Sequence, residues 1–329
     1  MKPVAVSGVR PTGELHIGNY LGAVKQFEEL QENYNTYFFI ADLHAITEPQ
    51  DPKKLNEQTL SIAAFYLACG LDPKRTILFV QSHVPEHREL AHILGTLTPM
   101  GDLQRMTQYK EKVEQGSPAN FGLFAYPVLM AADILIYNPD AVPVGEDQLQ
   151  HIELARTIAR KFNSHFGETF KEPKALLKKE GARIMGLDDP SKKMSKSASS
   201  SNNYIAMFDP PKEIERKIKI AVTDSEKEIK YDPERKPAIS NLLSIYSLVG
   251  NIGIPKLESI YEGKSYADFK KDLSQVLTDK LTPIQNKYKE LSVNKEKILK
   301  ILKEGKDRAI ETSEVTMKTV REKVGLLTL

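Results

Sequence analysis

Two short segments, far apart in a chain of 329 residues, carry the residue types that handle a nucleoside triphosphate. Near the amino end runs Ser7-Gly8-Val9-Arg10-Pro11-Thr12-Gly13-Glu14-Leu15-His16-Ile17-Gly18-Asn19. An apolar strand pattern at 4–8 leads into it. Helical periodicity follows from about 17 to 34, with Leu21, Val24, Phe27 and Leu30 on one side. The start of a helix offers unpaired N–H groups and the positive end of its dipole to a phosphate. Gly8, Gly13 and Gly18 let the backbone approach a ligand, and His16 and Asn19 add side-chain donors. Taken alone, the segment also reads as a glycine turn that merely caps a helix.

The second segment is Lys193-Met194-Ser195-Lys196-Ser197, in a stretch with no strong helical pattern. Two ammonium groups on a loop can stabilise the charge that grows on pyrophosphate when an α-phosphoryl group is attacked. A loop can also close for chemistry and open for release. A solvated basic loop is the alternative, and it loses ground once the first segment stands in the same chain.

Two further stretches could receive the other reactant. Residues 124–135 form an apolar helical pattern with one carboxylate, Asp133. Pro127 is expected in its first turn, and Tyr126, Met130 and Asp133, spaced four and three, share one face. A carboxylate in such a helix needs a donor. An indole N–H, a tyrosine hydroxyl or an arginine of the core would each serve. Pro143-Val144-Gly145-Glu146-Asp147-Gln148 reads as a strand end entering a helix. Gly145 permits close approach, Asp147 can accept from ribose hydroxyls or simply cap the helix, and Gln148 can bond a substrate's polar end.

The elements that must position these groups alternate. Strand patterns at 4–8, 37–42, 76–81 and 141–145 are separated by helical patterns at 17–34, 55–71 and 147–166, and residues 86–137 read as a helical insertion. This predicts an α/β fold with a parallel sheet, right-handed crossovers and ligands at the strands' carboxyl ends. Residues 181–186 read as a short β-like stretch before the lysine loop. After Asn203 the pattern is almost wholly helical and lysine-rich, which places a domain boundary near 190–200. The last helix, from about 294 to 329, could return to the first domain.

Composition adds limits. Apolar residues at 40% and charged residues at 27% suit an ordinary globular protein, and no apolar run approaches the ~18 residues that span a bilayer. The first motif starts too early to leave room for a signal peptide. Cys69 is the single cysteine; it cannot make an internal disulfide, a four-cysteine metal site is excluded, and a buried core thiol in the cytoplasm is expected. A net charge of +2 means that any nucleic acid must be held by a local patch.

Together the segments resemble the signatures of class I aminoacyl-tRNA synthetases, and through nearly its whole length the chain is similar to the bacterial tryptophanyl-tRNA synthetase family. The likeness extends to Ala41-Asp42-Leu43-His44-Ala45-Ile46-Thr47, Met106-Thr107-Gln108-Tyr109-Lys110-Glu111-Lys112, Tyr126 to Leu135, and Gly145-Glu146-Asp147-Gln148 followed by His151-Ile152-Glu153-Leu154. It reaches the second half at Ala221-Val222-Thr223-Asp224-Ser225.

The resemblance implies a Rossmann-like catalytic domain over 1–192, then a mobile lysine loop and a smaller all-helical anticodon-binding domain over 193–293. It implies ATP contacts at Arg10, Pro11, Thr12, His16, Gly18, Asn19, Gly145, Glu146, Asp147, Ile184, Lys193, Met194, Ser195, Lys196 and Ser197. Lys193, Lys196 and Lys112 would be the catalytic cations. Asp133, with Met130 and Val6, would hold the indole, while Tyr126, Gln148 and His44 would meet the amino and carboxyl groups. The implied partners are ATP with Mg²⁺, L-tryptophan, the tRNA for tryptophan and a second copy in a homodimer, with no structural metal and no membrane. The implied reaction is formation of tryptophanyl-adenylate and pyrophosphate, then transfer to the tRNA 3′ end. Three residues depart from the family pattern: Val6 stands where phenylalanine is usual, Arg10 where glutamine is, and Ala198 where an aspartate often follows the lysine signature.

Overall fold

The computed structural model describes every residue except 1, 12–14, 117, 178–183, 196–199, 227 and 328–329. The chain forms two compact units, one of residues 1–12, 29–177 and 294–329, the other of 13–28 and 178–293. The division differs from the boundary expected near 190–200. It falls earlier, and the second unit takes in the start of the first helix. Backbone pairing is the reason. The Ile17 N–H donates to the Ile205 carbonyl at 3.0 Å, and the Met207 N–H donates to that of Leu15 at 2.8 Å. Such a link between distant segments leaves no trace in hydrophobic periodicity.

The first unit is built on five strands: β1 (Val4–Val9), β2 (Asn35–Ile40), β3 (Thr76–Val80), β4 (Ala141–Val144) and β5 (Lys174–Leu177). Their order is β3-β2-β1-β4-β5, and every pairing is parallel. Phe38, Phe39 and Ile40 are buried in sequence, as are Leu78, Phe79 and Val80. Such continuous apolar runs belong to a sheet covered on both faces. The strand order reverses between β1 and β4, which creates a switch point where ligands bind in open parallel sheets. The sequence reading missed β5; its four residues are all partly or fully exposed and lack the buried signature.

Helices Glu86–Gly95, Met100–Gln104, Thr107–Glu114 and Phe121–Leu135 make up the helical segment between β3 and β4. The last of these begins earlier than expected because Asn120 caps it, accepting from the Leu123 N–H at 2.8 Å. Pro127 therefore lies inside the helix and not in its first turn, where it forfeits one backbone hydrogen bond. Helix Lys295–Val324 packs on β3 with its backbone almost touching: a Cβ at Gly305 would lie 1.8 Å from the Leu78 carbonyl oxygen. Arg321 fixes its far end to Glu89 at 2.7 Å.

The second unit gathers helices Pro211–Ile220, Pro237–Gly250, Ile254–Ile260 and Tyr266–Val293 around buried Ile218, Leu243, Phe269 and Leu273. The short helix Ile17–Asn19 passes through a wide, π-type turn at Tyr20–Val24. The Lys25 Nζ donates to the Leu248 carbonyl at 2.6 Å, tying this segment to helix Pro237–Gly250. Among the described residues no single helix is long and apolar enough to cross a membrane.

Candidate functional site

At the carboxyl ends of β1 and β4, where the sheet order reverses, the first unit opens a cavity. Strand β1 supplies Val6, Ser7 and Gly8, and β4 supplies Val142, Pro143 and Val144. Helix Phe121–Leu135 supplies Tyr126, Met130 and Asp133, with His44 and Gln148 across from it. All six residues assigned to tryptophan thus line one cavity. Gly8 admits the Phe39 ring beside it, because a Cβ there would lie 2.5 Å from that ring.

Asp133 is the polar centre of this cavity and is 1% exposed. Its Oδ1 lies 2.6 Å from His87 Nδ1, its Oδ2 lies 2.7 Å from His44 Nε2, and Gln81 Nε2 donates to both oxygens at 2.8 Å. Burial pushes the carboxyl up, but hydrogen bonds from His44 and His87 outweigh it and hold Asp133 down at about 2. It is therefore an acceptor-only anion at neutral pH. Its burial strengthens each of these bonds.

Tyr126 sits above this floor, its hydroxyl 2.8 Å from His151 Nε2 and 3.3 Å from Gln108 Oε1. Burial raises its pKa to about 12. Burial, aided by the charge of His44, lowers that of His151 to about 4. Both are neutral polar groups near pH 7. At the cavity's mouth, Lys112 and Arg10 share one carboxylate. Glu48 accepts from Lys112 Nζ and lies 3.7 Å from Arg10, and the Lys112 hydrogen bond is the chief reason its pKa is lowered.

The residues assigned to ATP divide between the units. Arg10, Pro11, Lys112, Gly145, Glu146 and Asp147 belong to the first; His16, Gly18, Asn19, Ile184, Lys193, Met194 and Ser195 belong to the second. Thr12, Lys196 and Ser197 lie outside the described residues. In the first unit, Gly145, Glu146 and Asp147 form the turn that follows β4, and the Asp147 carbonyl accepts from Gln108 Nε2 at 3.4 Å.

Within the second unit the two signature segments meet. A Cβ at Gly18 would lie 3.6 Å from Met194 Sδ and 2.9 Å from the His16 ring. Burial, reinforced by the positive charge of Lys193, lowers the His16 pKa to about 4. The His16 N–H donates to Asn19 Oδ1 at 3.0 Å, so Asn19 caps its own helix. His16 Nδ1 is buried and has no hydrogen-bond partner among the described residues. Met194 is buried while Lys193 is exposed.

The lysine segment is held by its backbone. The Met194 N–H donates to the Ile184 carbonyl at 3.0 Å, Met185 and Lys193 form an antiparallel bridge, and Gly186 N–H donates to Lys192 at 2.9 Å. Asn203, 3% exposed, accepts from Ser195 N–H at 3.1 Å and donates to Asp188 at 2.5 Å. Sequence reasoning missed Asn203, Glu48, Gln81 and His87. Each acts on a group distant in the chain or lies in a stretch, such as the serine-rich run before Asn203, that composition marks only as loop.

Comparison with known proteins agrees with this architecture. The family model described as tRNA synthetases class I (W and Y) matches residues 1–282. The tryptophan–tRNA ligase of Caldanaerobacter subterraneus subsp. tengcongensis is 52% identical, covering 98% of each chain. That of Bacillus subtilis is 49% identical over 99% of this chain and 98% of its own. Among solved structures, the tryptophanyl-tRNA synthetase of Mycoplasma pneumoniae, 36% identical, superposes with a TM-score of 0.91 over 99% of both chains. The Campylobacter jejuni enzyme, solved with ADP and tryptophan, is 40% identical, with a TM-score of 0.84 over 98% of this chain and 100% of its own. The chain belongs to the class I tRNA synthetases of the tryptophan and tyrosine branch and, within it, to the bacterial tryptophanyl family.

Proposed function

We propose that this chain is a tryptophan–tRNA ligase. It activates L-tryptophan with ATP, giving tryptophanyl-adenylate and pyrophosphate, and then transfers the amino acid to the 3′ end of its tRNA. The observation that carries the choice of amino acid is the full-length likeness to tryptophan–tRNA ligases, 52% and 49% identical, and the buried, ionised Asp133 of the cavity supplies the acceptor that the indole needs. An indole N–H is a donor with nothing to accept, and such a carboxylate can only accept. Val6 and Met130 pack the ring, while Tyr126 and Gln148, with His44 alongside, meet the polar end of the amino acid.

No side chain acts as nucleophile; the tryptophan carboxylate attacks the α-phosphorus directly. Positioning and charge stabilisation supply the rate. His16, Gly18 and Asn19 receive phosphate at the helix start, and Lys193 and Lys196, with Lys112, take up the charge of the departing pyrophosphate. ATP enters with Mg²⁺. Gly145 to Asp147 meet the nucleoside, and Arg10 adds a cation. The all-helical part of the second unit reads the anticodon, and the enzyme works in the cytoplasm as a homodimer.

The test is ATP–pyrophosphate exchange measured with each aromatic amino acid. Exchange with tryptophan alone is the expected result. Exchange with tyrosine in its place would transfer the chain to the tyrosyl enzymes, and none at all would make it a non-catalytic paralogue.

A further inference from the structure

The cavity wall accounts for one donor to Asp133, His44, whose side chain is 11% exposed. The other two come from behind. Gln81 and His87 are both 0% exposed, and neither lines the cavity. His87 bonds only Oδ1, at 2.6 Å, while His44 reaches only Oδ2. Oδ1 is thus met only from the core, by Gln81 and His87, whereas Oδ2 is met by Gln81 from the core and by His44 from the cavity wall.

The His87 ring is itself fixed at both nitrogens. Its Nε2 lies 2.7 Å from the Tyr137 hydroxyl. A carboxylate has no hydrogen to give, so Nδ1 carries the proton. Tyr137, which burial keeps protonated, donates to Nε2. The ring is wedged edge-on against Phe39 at 5.8 Å and Phe79 at 5.9 Å. Gln81, in turn, accepts from the Leu43 N–H at 3.2 Å, which fixes its amide with the nitrogen toward Asp133.

We infer that His87 and Gln81 are positioning residues. They hold the Asp133 carboxylate ionised with Oδ2 turned to the cavity, so that the site selects an amino acid whose ring bears an N–H. This inference rests on the proposed tryptophan activation. An ion so deeply buried persists only if its lone pairs are met. Loss of either core donor shifts it toward the protonated form, which presents a hydroxyl where an acceptor is needed. The charged and titratable groups around it are His44, His87, Tyr137 and Glu86, the last buried with one oxygen unpartnered among the described residues.

The experiment compares tryptophan with β-(benzothiophen-3-yl)alanine, in which sulfur replaces the N–H, in pyrophosphate exchange between pH 6 and 8. For His87→Leu we expect the tryptophan KM to rise at least about tenfold, as for loss of a charged hydrogen bond, with kcat within about threefold. The analogue's KM should move less than about threefold. The mutant's tryptophan KM should also worsen toward pH 6 more steeply than the wild type's. His87→Asn, whose amide nitrogen replaces Nδ1, should restore both the value and the slope. If His87→Leu does not fold, Gln81→Met is read in the same way. Equal losses for both amino acids with an unchanged pH profile would overturn the inference while leaving tryptophan activation intact. Absence of tryptophan exchange in the wild type would instead overturn the activity on which it rests.

Discussion

The floor of the cavity in the first unit and the lysine segment of the second handle charge in opposite ways. Asp133 is sealed from water and met by three side chains before any ligand arrives. Lys193 stands exposed, and its segment is held by backbone hydrogen bonds at Ile184, Met185 and Gly186. The first arrangement suits recognition, because a preset acceptor loses little on binding and penalises a ligand that cannot fill it. The second suits chemistry, because charge that must follow a leaving group cannot be committed beforehand.

A crossed pair of variants tests this contrast most severely. Lys193→Ala and Lys196→Ala should each lower kcat for pyrophosphate exchange by roughly 10²–10³-fold, the loss typical of a group that stabilises transition-state charge. Tryptophan's dissociation constant should stay within about twofold. Asp133→Asn should do the reverse, weakening tryptophan by about 100-fold with the KM for ATP nearly unchanged, since it breaks a buried, bonded ion. Equilibrium titration of tryptophan beside exchange kinetics separates the two. Parallel loss of binding and rate in both kinds of variant would erase the contrast.

A smaller effect sharpens the same line. Gly186 lies under the lysine segment, and a Cβ there would stand 2.2 Å from Asn203 Nδ2 and 2.9 Å from the Asp189 carbonyl. Gly186→Ala must displace Asn203, which holds the Ser195 N–H. We expect about 1–3 kcal/mol of destabilisation and a kcat roughly tenfold lower, with tryptophan affinity unchanged. Hydrogen exchange should accelerate in the segment around 184–207 and not in β1 or β4. Acceleration in the strands as well would mean that the two units do not respond separately.

The parts legible from sequence were those with local periodicity or unusual residue types. Four of the five strands stood out as apolar runs, and the spacing of Tyr126, Met130 and Asp133 placed them on one cavity wall. Strand β5 was hidden because its residues are half-exposed on the sheet's edge. The start of helix Phe121–Leu135 was misplaced because proline was read as a first-turn residue, whereas Asn120 supplies the cap. The second unit's claim on residues 13–28 rests on backbone pairing between segments about 190 positions apart, and side-chain pattern does not encode that. The same reason hid His87 and Gln81. Each is a polar residue in an unremarkable local context, and only the fold brings it to Asp133.

The weakest expected effect concerns acid stability, and it treats the two units alike where catalysis does not. His16 in the second unit and His151 in the first each have a pKa lowered from 6.5 to about 4, chiefly by burial. Below pH 6.5 the unfolded chain takes up protons that the folded chain refuses, so stability is complete above that value and drains as pH falls toward 4. Each histidine should cost about 1 kcal/mol by pH 5.5. Urea unfolding followed by hydrogen exchange at pH 7 and 5.5 should show both units weakening. His16→Gln should flatten the slope in the second unit and leave that of the first in place, whereas His151→Gln should do the converse. Should either substitution flatten both slopes, the units would unfold as one cooperative body, and the separation of recognition from chemistry would have no counterpart in stability.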